Sequence, residues 1–329
     1  MKTVKIKFVG VCPGFEPDWM DLYKILKKHY DVQIVEDDPD YIICDAFEPY
    51  YDYCGYPQVR IMVNGENYIP DFNLVDYAIS RYPISFQDRN FYLPGCVFPR
   101  EHWLALSSRS REDYDLEFVK SKPYFANFIA SHESEHNIRG DFFKKLCEYK
   151  RVESPGSYLN NMPDGSAVRW NNSSKTDFQR KCKFTLCFES TSHNGFITEK
   201  ITDAFYAGTI PVYYGSPSVT EIFNREAFLN CGDFESFDAV IDKIRELDQD
   251  DEKYLEMLRR PVLVDPDYPQ RVLDDMERFV CAIFDQPLDK AYRRSRVYMP
   301  KWYDEFLEQA VAKNKGRLKS RIKRLLSGK

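Results

Sequence analysis

At 329 residues, with 43% hydrophobic and 16% aromatic side chains, the chain carries enough apolar surface for two cores and two ordinary domains. No run of 18 apolar residues occurs, and the alternating segment from Met1 to Val11 has no long apolar stretch or small-residue cleavage site behind it, so neither a membrane span nor a signal peptide is expected. The net charge of −6 is unevenly spread: residues 313–329 hold eight Lys or Arg and no acid, leaving 38 basic against 52 acidic side chains in the body, which argues against nucleic-acid binding by that body.

Taken in chain order, residues 4–9, 32–35, 41–44, 59–63 and 76–79 are short apolar or β-branched runs that predict strands. Between the first two, Asp18 to His29 has helical spacing, with Trp19, Leu22, Tyr23 and Leu26 on one face. Residues 81–122 are interrupted by Pro83, Pro94, Gly95, Pro99 and the charged Arg109 to Asp115, and read as a connector. The second half alternates again. Strands are expected at 123–130, 183–189 and 209–214, and helices at 138–149, 199–207, 218–223, 236–248, 252–260, 270–284 and 300–312. This pattern predicts α/β architecture with parallel sheets covered by helices. The expected divisions are 1–115, 116–290 and a C-terminal helix with a basic tail at 291–329. No internal repeat is visible.

The nine cysteines are an odd number. Cys12, Cys44, Cys187 and Cys281 lie in apolar runs, where a thiol acts as a small hydrophobe. Cys182 and Cys187 lack a second matched pair, so neither zinc nor a disulfide framework is expected and a reducing cytoplasm fits. The Asp-x-Asp sequences at Asp38, Asp113, Asp248 and Asp265 follow no clear strand and read as structural.

The most informative stretch runs from Cys187 to Gly215, as strand, loop, helix, turn and strand. Thr198 is placed as N-cap of a helix whose apolar face is Ile201, Ala204 and Phe205, and Gly208 closes it. Lys200 therefore falls in a first turn, where a cation opposes the helix dipole unless an anion occupies the helix start. That placement points to phosphate. The loop Glu189 to Lys200 also lies beyond the carboxyl end of a strand, where open α/β sheets bind ligands.

This stretch resembles the donor-sugar motif of the family 10 α-1,3/4-fucosyltransferases of the bacterial type, a pattern running C-F-E-N, a loop ending in G-Y, then T-E-K and I-P-I-Y-W-G. Val63-Asn-Gly-Glu-Asn67 followed by Pro70 to Ile79, and Tyr124 to Ser131 followed by Asn137-Ile-Arg139, match two further blocks in the expected order. The resemblance covers most of residues 59–250. It implies the GT-B glycosyltransferase architecture, two Rossmann-like domains facing across a cleft.

By resemblance, Glu66 corresponds to the proposed general base, whereas on its residues alone it reads as a solvated turn acid. Arg139 stands where the family has a donor-phosphate arginine, able to clamp two oxygens. Glu199 is a first-turn acid that complements the helix dipole; the resemblance adds contact with the fucose and stabilisation of charge at its anomeric carbon. The catalytic pair is thus Glu66 and Glu199, and the donor set is Arg139, Lys200, Phe196, Ser190, Glu189 and Asn194. Phe196 replaces the usual tyrosine and Ser190 the usual asparagine, which alters the exact donor contacts. His193 reads as a surface residue.

These readings lead to an inverting transfer of L-fucose from GDP-β-L-fucose to a GlcNAc hydroxyl, O3 by preference, of an N-acetyllactosamine-type glycan. No cofactor is expected, since Arg139 and Lys200 can neutralise the diphosphate without a metal. The rivals are a GT-B transferase using another nucleotide sugar and an inactive glycan-binding protein. The basic tail, with Leu318, Ile322, Leu325 and Leu326 at helical spacing, suits an anionic membrane surface, placing a cytoplasmic protein at the inner leaflet.

Overall fold

Short Val-, Ile- and aromatic-rich runs become the strands of two all-parallel sheets. The computed structural model describes residues 1–326 apart from 48–50, 111, 113, 164, 166, 167 and 169–172, with backbone alone for 135 and 314–326. Two compact units emerge, Met1–Leu93 with Leu273–Lys329, and Pro94–Val272.

The first unit holds β1 (Thr3–Val9), β2 (Asp31–Ile34), β3 (Tyr41–Cys44), β4 (Val59–Val63), β5 (Tyr77–Ser80) and β6 (Asn90–Tyr92), in the order β2-β1-β3-β4-β5-β6. All neighbouring pairs run parallel. Every residue of β3 and β5 is buried, as expected for strands covered on both faces. Helix α1 (Asp21–His29) starts later than its apolar spacing suggested. It buries Leu22, Ile25 and Leu26, while Trp19 sits outside it in a 3-10 turn and is exposed.

The second unit orders its strands β11-β10-β9-β7-β8, again parallel, from β7 (Tyr124–Asn127), β8 (Val152–Glu153), β9 (Cys182–Phe188), β10 (Ile210–Tyr214) and β11 (Leu229–Asn230). Its core gathers aromatic rings from the sheet and from α4 (Ile138–Tyr149), with Phe142 and Phe188 centred 4.8 Å apart.

The units divide between Leu93 and Pro94 and again between Val272 and Leu273, whereas the expected boundaries stood at 115/116 and 290/291. Residues 94–115 do not behave as a connector. The 3-10 turn Gly95–Val97 and α2 (Arg100–Ala105) dock on α6 (Glu199–Tyr206): Cys96 N donates to Ile197 O at 2.8 Å and Thr202 Oγ1 to Cys96 O at 2.8 Å. At the other end, the second half of α10 (Tyr268–Asp285) belongs with the N-terminal strands and α1, through Lys28–Glu277 at 2.7 Å and Tyr30–Asp285 at 2.7 Å.

The C-terminal helix is longer than expected, one element from Tyr298 to Leu326, here α11. Arg60, 1% exposed, ties it to the first sheet. The guanidinium donates to Asp304 at 2.8 and 2.9 Å and to the carbonyls of Cys54, Tyr56 and Leu74, so the buried cation is fully partnered. The side chains of Leu318, Ile322, Leu325 and Leu326 lie outside the described residues.

Candidate active site

Strand β9 ends at Phe188, and the next residue, Glu189, is 1% exposed. A carboxylate that deep needs donors. Thr198 N donates to Glu189 Oε1 at 2.7 Å, the Thr198 hydroxyl lies 2.8 and 3.0 Å from its two oxygens, and Lys200 Nζ reaches Oε2 at 2.9 Å. Thr198 occupies the N-cap position as expected, but its hydroxyl serves Glu189 and makes no capping bond to the helix. Gly215 is required here, because a Cβ would sit 2.6 Å from Glu189 Cγ and 2.7 Å from the Tyr213 hydroxyl.

Lys200 has therefore found an anion inside the protein. Burial pulls its ammonium down, but Glu189 and Glu199 more than offset that and hold it above the usual lysine value. This internal pair accounts for the first-turn placement, which does not require a ligand phosphate.

Arg139, in the first turn of α4, is 5% exposed and not a surface side chain. Two consecutive non-glycine residues, His136 (φ 60°) and Asn137 (φ 57°), adopt left-handed backbone before the helix, a conformation costing about 1–2 kcal/mol each. Arg139 Nη2 donates to His132 O, and Nε has no partner among the described residues. Burial draws the guanidinium below its ordinary value, with Glu133 and Glu189 opposing. Arg139 and Lys200 thus both act electrostatically on Glu189, and on each other.

Glu199 opens α6, and its surroundings contain a residue that the sequence reading missed. Lys175, on α5 (Ser173–Arg180), is 4% exposed and reaches Asp203 Oδ2 at 2.6 Å and Glu199 Oε1 at 3.5 Å. Asp203 in turn bonds His102 Nδ1 at 2.7 Å, and that imidazole stacks on Tyr206 with centroids 3.9 Å apart. Burial alone would push the Glu199 carboxyl up; Lys200, Lys175 and its own backbone N–H outweigh it and hold the group at about 2. Glu199 is an anion at any working pH, suited to stabilising positive charge and unsuited to taking a proton.

The remaining donor residues separate. Ser190 and Asn194 are exposed, as is His193, read as a surface residue, while Phe196 is buried at 5% exposure and acts as packing, leaving little ring face for a ligand. Gly195, between them, donates to Ser216 Oγ at 2.9 Å and Ser218 Oγ at 3.1 Å, which fixes the loop.

Glu66 lies in the other unit, just beyond β4. Asn64, 2% exposed, shapes its turn: Oδ1 accepts from Glu66 N at 2.8 Å while Nδ2 donates to Tyr68 O. Glu66 is exposed and lines a cavity of about 370 Å³ with Asp45, Ala46, Phe47, Tyr51, Tyr53 and Tyr68. All four Asp-x-Asp sequences have other partners, beginning with Asp40, whose Oδ2 accepts from Lys5 N at 3.3 Å. Asp115 and Asp250 cap helices, Asp248 binds Lys150 at 3.0 Å and Asp265 pairs with Arg271, whereas Asp113 lies outside the described residues.

A family model described as glycosyltransferase family 10 (fucosyltransferase) C-term matches residues 119–284, and one for the alpha-(1,3)-fucosyltransferase FucT N-terminal domain matches residues 6–98. The chain belongs to glycosyltransferase family 10. It is 34% identical over 228 residues to the alpha-(1,3)-fucosyltransferase FucT of Helicobacter pylori, covering 60% of this chain and 46% of that protein. A 27% identity over 173 residues links it to the mouse 4-galactosyl-N-acetylglucosaminide 3-alpha-L-fucosyltransferase 9, covering 47% of this chain and 46% of the relative. The chain thus spans less than half the length of these relatives. An alpha1,3-fucosyltransferase solved with GDP-fucose superposes with a TM-score of 0.63 at 26% identity, covering 85% of this chain and 91% of that one. The two parallel sheets are those of the GT-B class, as the family 10 resemblance implied.

Proposed function

We propose that the chain is an inverting α-1,3-fucosyltransferase that moves L-fucose from GDP-β-L-fucose to a GlcNAc hydroxyl, O3 by preference, of an N-acetyllactosamine-type glycan. The observation that carries this reading is the charged cluster at the carboxyl edge of β9, where Arg139 and Lys200 flank a buried carboxylate and Glu199 is held ionised at about 2. A structural relative solved with GDP-fucose supports the donor, and the name of the mouse relative, a 4-galactosyl-N-acetylglucosaminide 3-alpha-L-fucosyltransferase, supports the acceptor class.

In the proposed reaction, the acceptor oxygen attacks the anomeric carbon of fucose as the bond to the β-phosphate oxygen breaks, and the acceptor proton passes to Glu66. Arg139 and Lys200 take up the charge of the departing GDP, and Glu199 faces the cationic sugar carbon. No step requires a metal.

The test is incubation with GDP-fucose and N-acetyllactosamine, with product linkage read by NMR and GDP-mannose and UDP-sugars run in parallel. An α-1,3-linked fucose from GDP-fucose alone, retained in EDTA, supports the reading. Turnover of another nucleotide sugar, acceptor binding without GDP release, or activity abolished by EDTA and restored by Mn2+ overturns it in donor, catalysis or metal requirement respectively.

A further inference from the structure

The cavity at the carboxyl edge of the first sheet contains two carboxylates, and the proposed reaction uses one. Asp45 directly follows β3 and Glu66 follows β4. These strands are paired neighbours, with Cys44 opposite Met62, so both acids emerge at the same edge and line the same cavity. Asp45 belongs to no ion pair or helix cap among the described residues. Its Oδ1 accepts from the adjacent Ala46 N at 2.7 Å, leaving Oδ2 for a ligand.

The other walls are rings. Phe47, Tyr51, Tyr53 and Tyr68 line the cavity, with the Tyr51 and Tyr53 rings in tilted contact at 6.2 Å between centroids. Tyr51 is kept in place at φ 63°, a left-handed conformation that a bulky residue adopts only when its surroundings impose it. A pyranose ring has the complementary chemistry, with apolar C–H faces that lie against aromatic rings and a rim of hydroxyls that donate to carboxylates. At about 370 Å³ the cavity falls within the range of small-molecule pockets.

We propose that Asp45 is a second acceptor-binding carboxylate, whose Oδ2 accepts a hydrogen bond from the acetamido N–H of the GlcNAc, the one donor beside the hydroxyl that Glu66 deprotonates, and so orients the acceptor ring. This rests on the assignment of Glu66 as acceptor base. Asp45 acts as a specificity-determining and positioning residue, leaving proton abstraction to Glu66.

The electrostatics give the site a pH signature. Burial pushes the Asp45 carboxyl up to about 6, the Ala46 N–H opposes that, nearby Glu66 adds to the rise and Arg81 counters it. Burial pushes the Tyr53 and Tyr68 hydroxyls of the wall upward, away from this range. An ionised Asp45 accepts a hydrogen bond from the acetamido N–H of the acceptor; as the pH falls through about 6 it protonates and acceptor affinity declines.

The test uses the full chain. Binding of N-acetyllactosamine in the presence of GDP is titrated by NMR at pH 7.5 and 5.0 for wild type and Asp45→Asn, alongside transfer from GDP-fucose and a thermal melt. The expected result is a 10- to 100-fold weaker acceptor affinity in Asp45→Asn, on the order of one charge-assisted hydrogen bond, with unchanged melting, unchanged GDP-fucose KM and no further loss at pH 5.0. An acceptor with hydrogen in place of the acetamido group beside the attacked hydroxyl should bind wild type as weakly as the parent acceptor binds the variant, with no additional loss in the variant. Wild-type affinity and pH dependence in Asp45→Asn, with transfer intact, overturn the role of Asp45 alone. Weakened acceptor binding in the variant with no transfer by wild type would instead sustain Asp45 as a sugar contact and remove the fucosyltransferase reading.

Discussion

Glu66 and Glu199 are both carboxylates, yet their surroundings prevent them from exchanging roles. Glu199 is flanked by Lys175 and Lys200 and held at about 2, so it cannot collect a proton from a hydroxyl near neutrality. Glu66 is exposed on a turn organised by Asn64, and the proposed reaction gives it the part of base. Glu66→Gln is therefore expected to abolish transfer while GDP-fucose affinity stays within a few-fold of wild type; donor affinity that falls while turnover of bound donor persists would reassign the residue. Lys200→Ala and Arg139→Ala should do the opposite, each weakening GDP binding by about 1.5–3 kcal/mol through a lost charge-assisted contact. Because Lys200 also partners buried Glu189, its variant should lose stability as well, so calorimetric titration on folded protein is the deciding measurement. Unchanged GDP affinity in both variants would remove the phosphate assignment. The motif made Glu189, Glu199 and Lys200 legible as a group, but not the bonding among them. Lys175 stayed hidden because nothing local distinguishes it from an exposed helix lysine; its partners stand 24 and 28 positions away.

Among the elements, apolar periodicity located most strands of both sheets and the helices flanking β9 and β10, since these bury hydrophobic faces. The missed elements bury little or bury polar groups. Strands β8 and β11 have two residues each and β6 three, too short for a period to register. Helix α5 turns Lys175, Thr176 and Gln179 inward, so the buried face is polar and invisible to a hydrophobic pattern. In the same way, α11 is held by an ion pair as well as by the packing of Tyr303 and Leu307. Asp304→Ala should leave the Arg60 guanidinium with its three carbonyls but no counter-charge, at a cost of about 2–4 kcal/mol. Hydrogen exchange followed by mass spectrometry should show amides in residues 298–312 exchanging about 30-fold faster or more, with strands β9 and β10 unchanged. Protection equal to wild type in 298–312 would mean that packing alone holds the helix.

On the scale of the whole chain, charge segregates, an acidic body of 38 basic against 52 acidic side chains followed by eight Lys or Arg in residues 313–329. No helix of the described residues is long and apolar enough to cross a membrane. The backbone of the tail is helical to Leu326, and its sequence spaces four apolar residues among the cations in the pattern of an interfacial helix. We therefore propose that the tail holds the protein at an anionic inner leaflet. Each basic residue near such a surface contributes about 1 kcal/mol, enough in sum to overcome repulsion of the acidic body at low salt. Deleting residues 313–329 should abolish sedimentation with phosphatidylserine-containing vesicles and spare transfer to a soluble acceptor, while the full chain should detach as salt is raised. Met299, Trp302 and Phe306 remain exposed on the truncated helix, so binding that survives truncation and resists salt would assign attachment to that apolar stripe. Equal sedimentation of both forms, or none by either at low salt, would exclude the basic tail as the anchor.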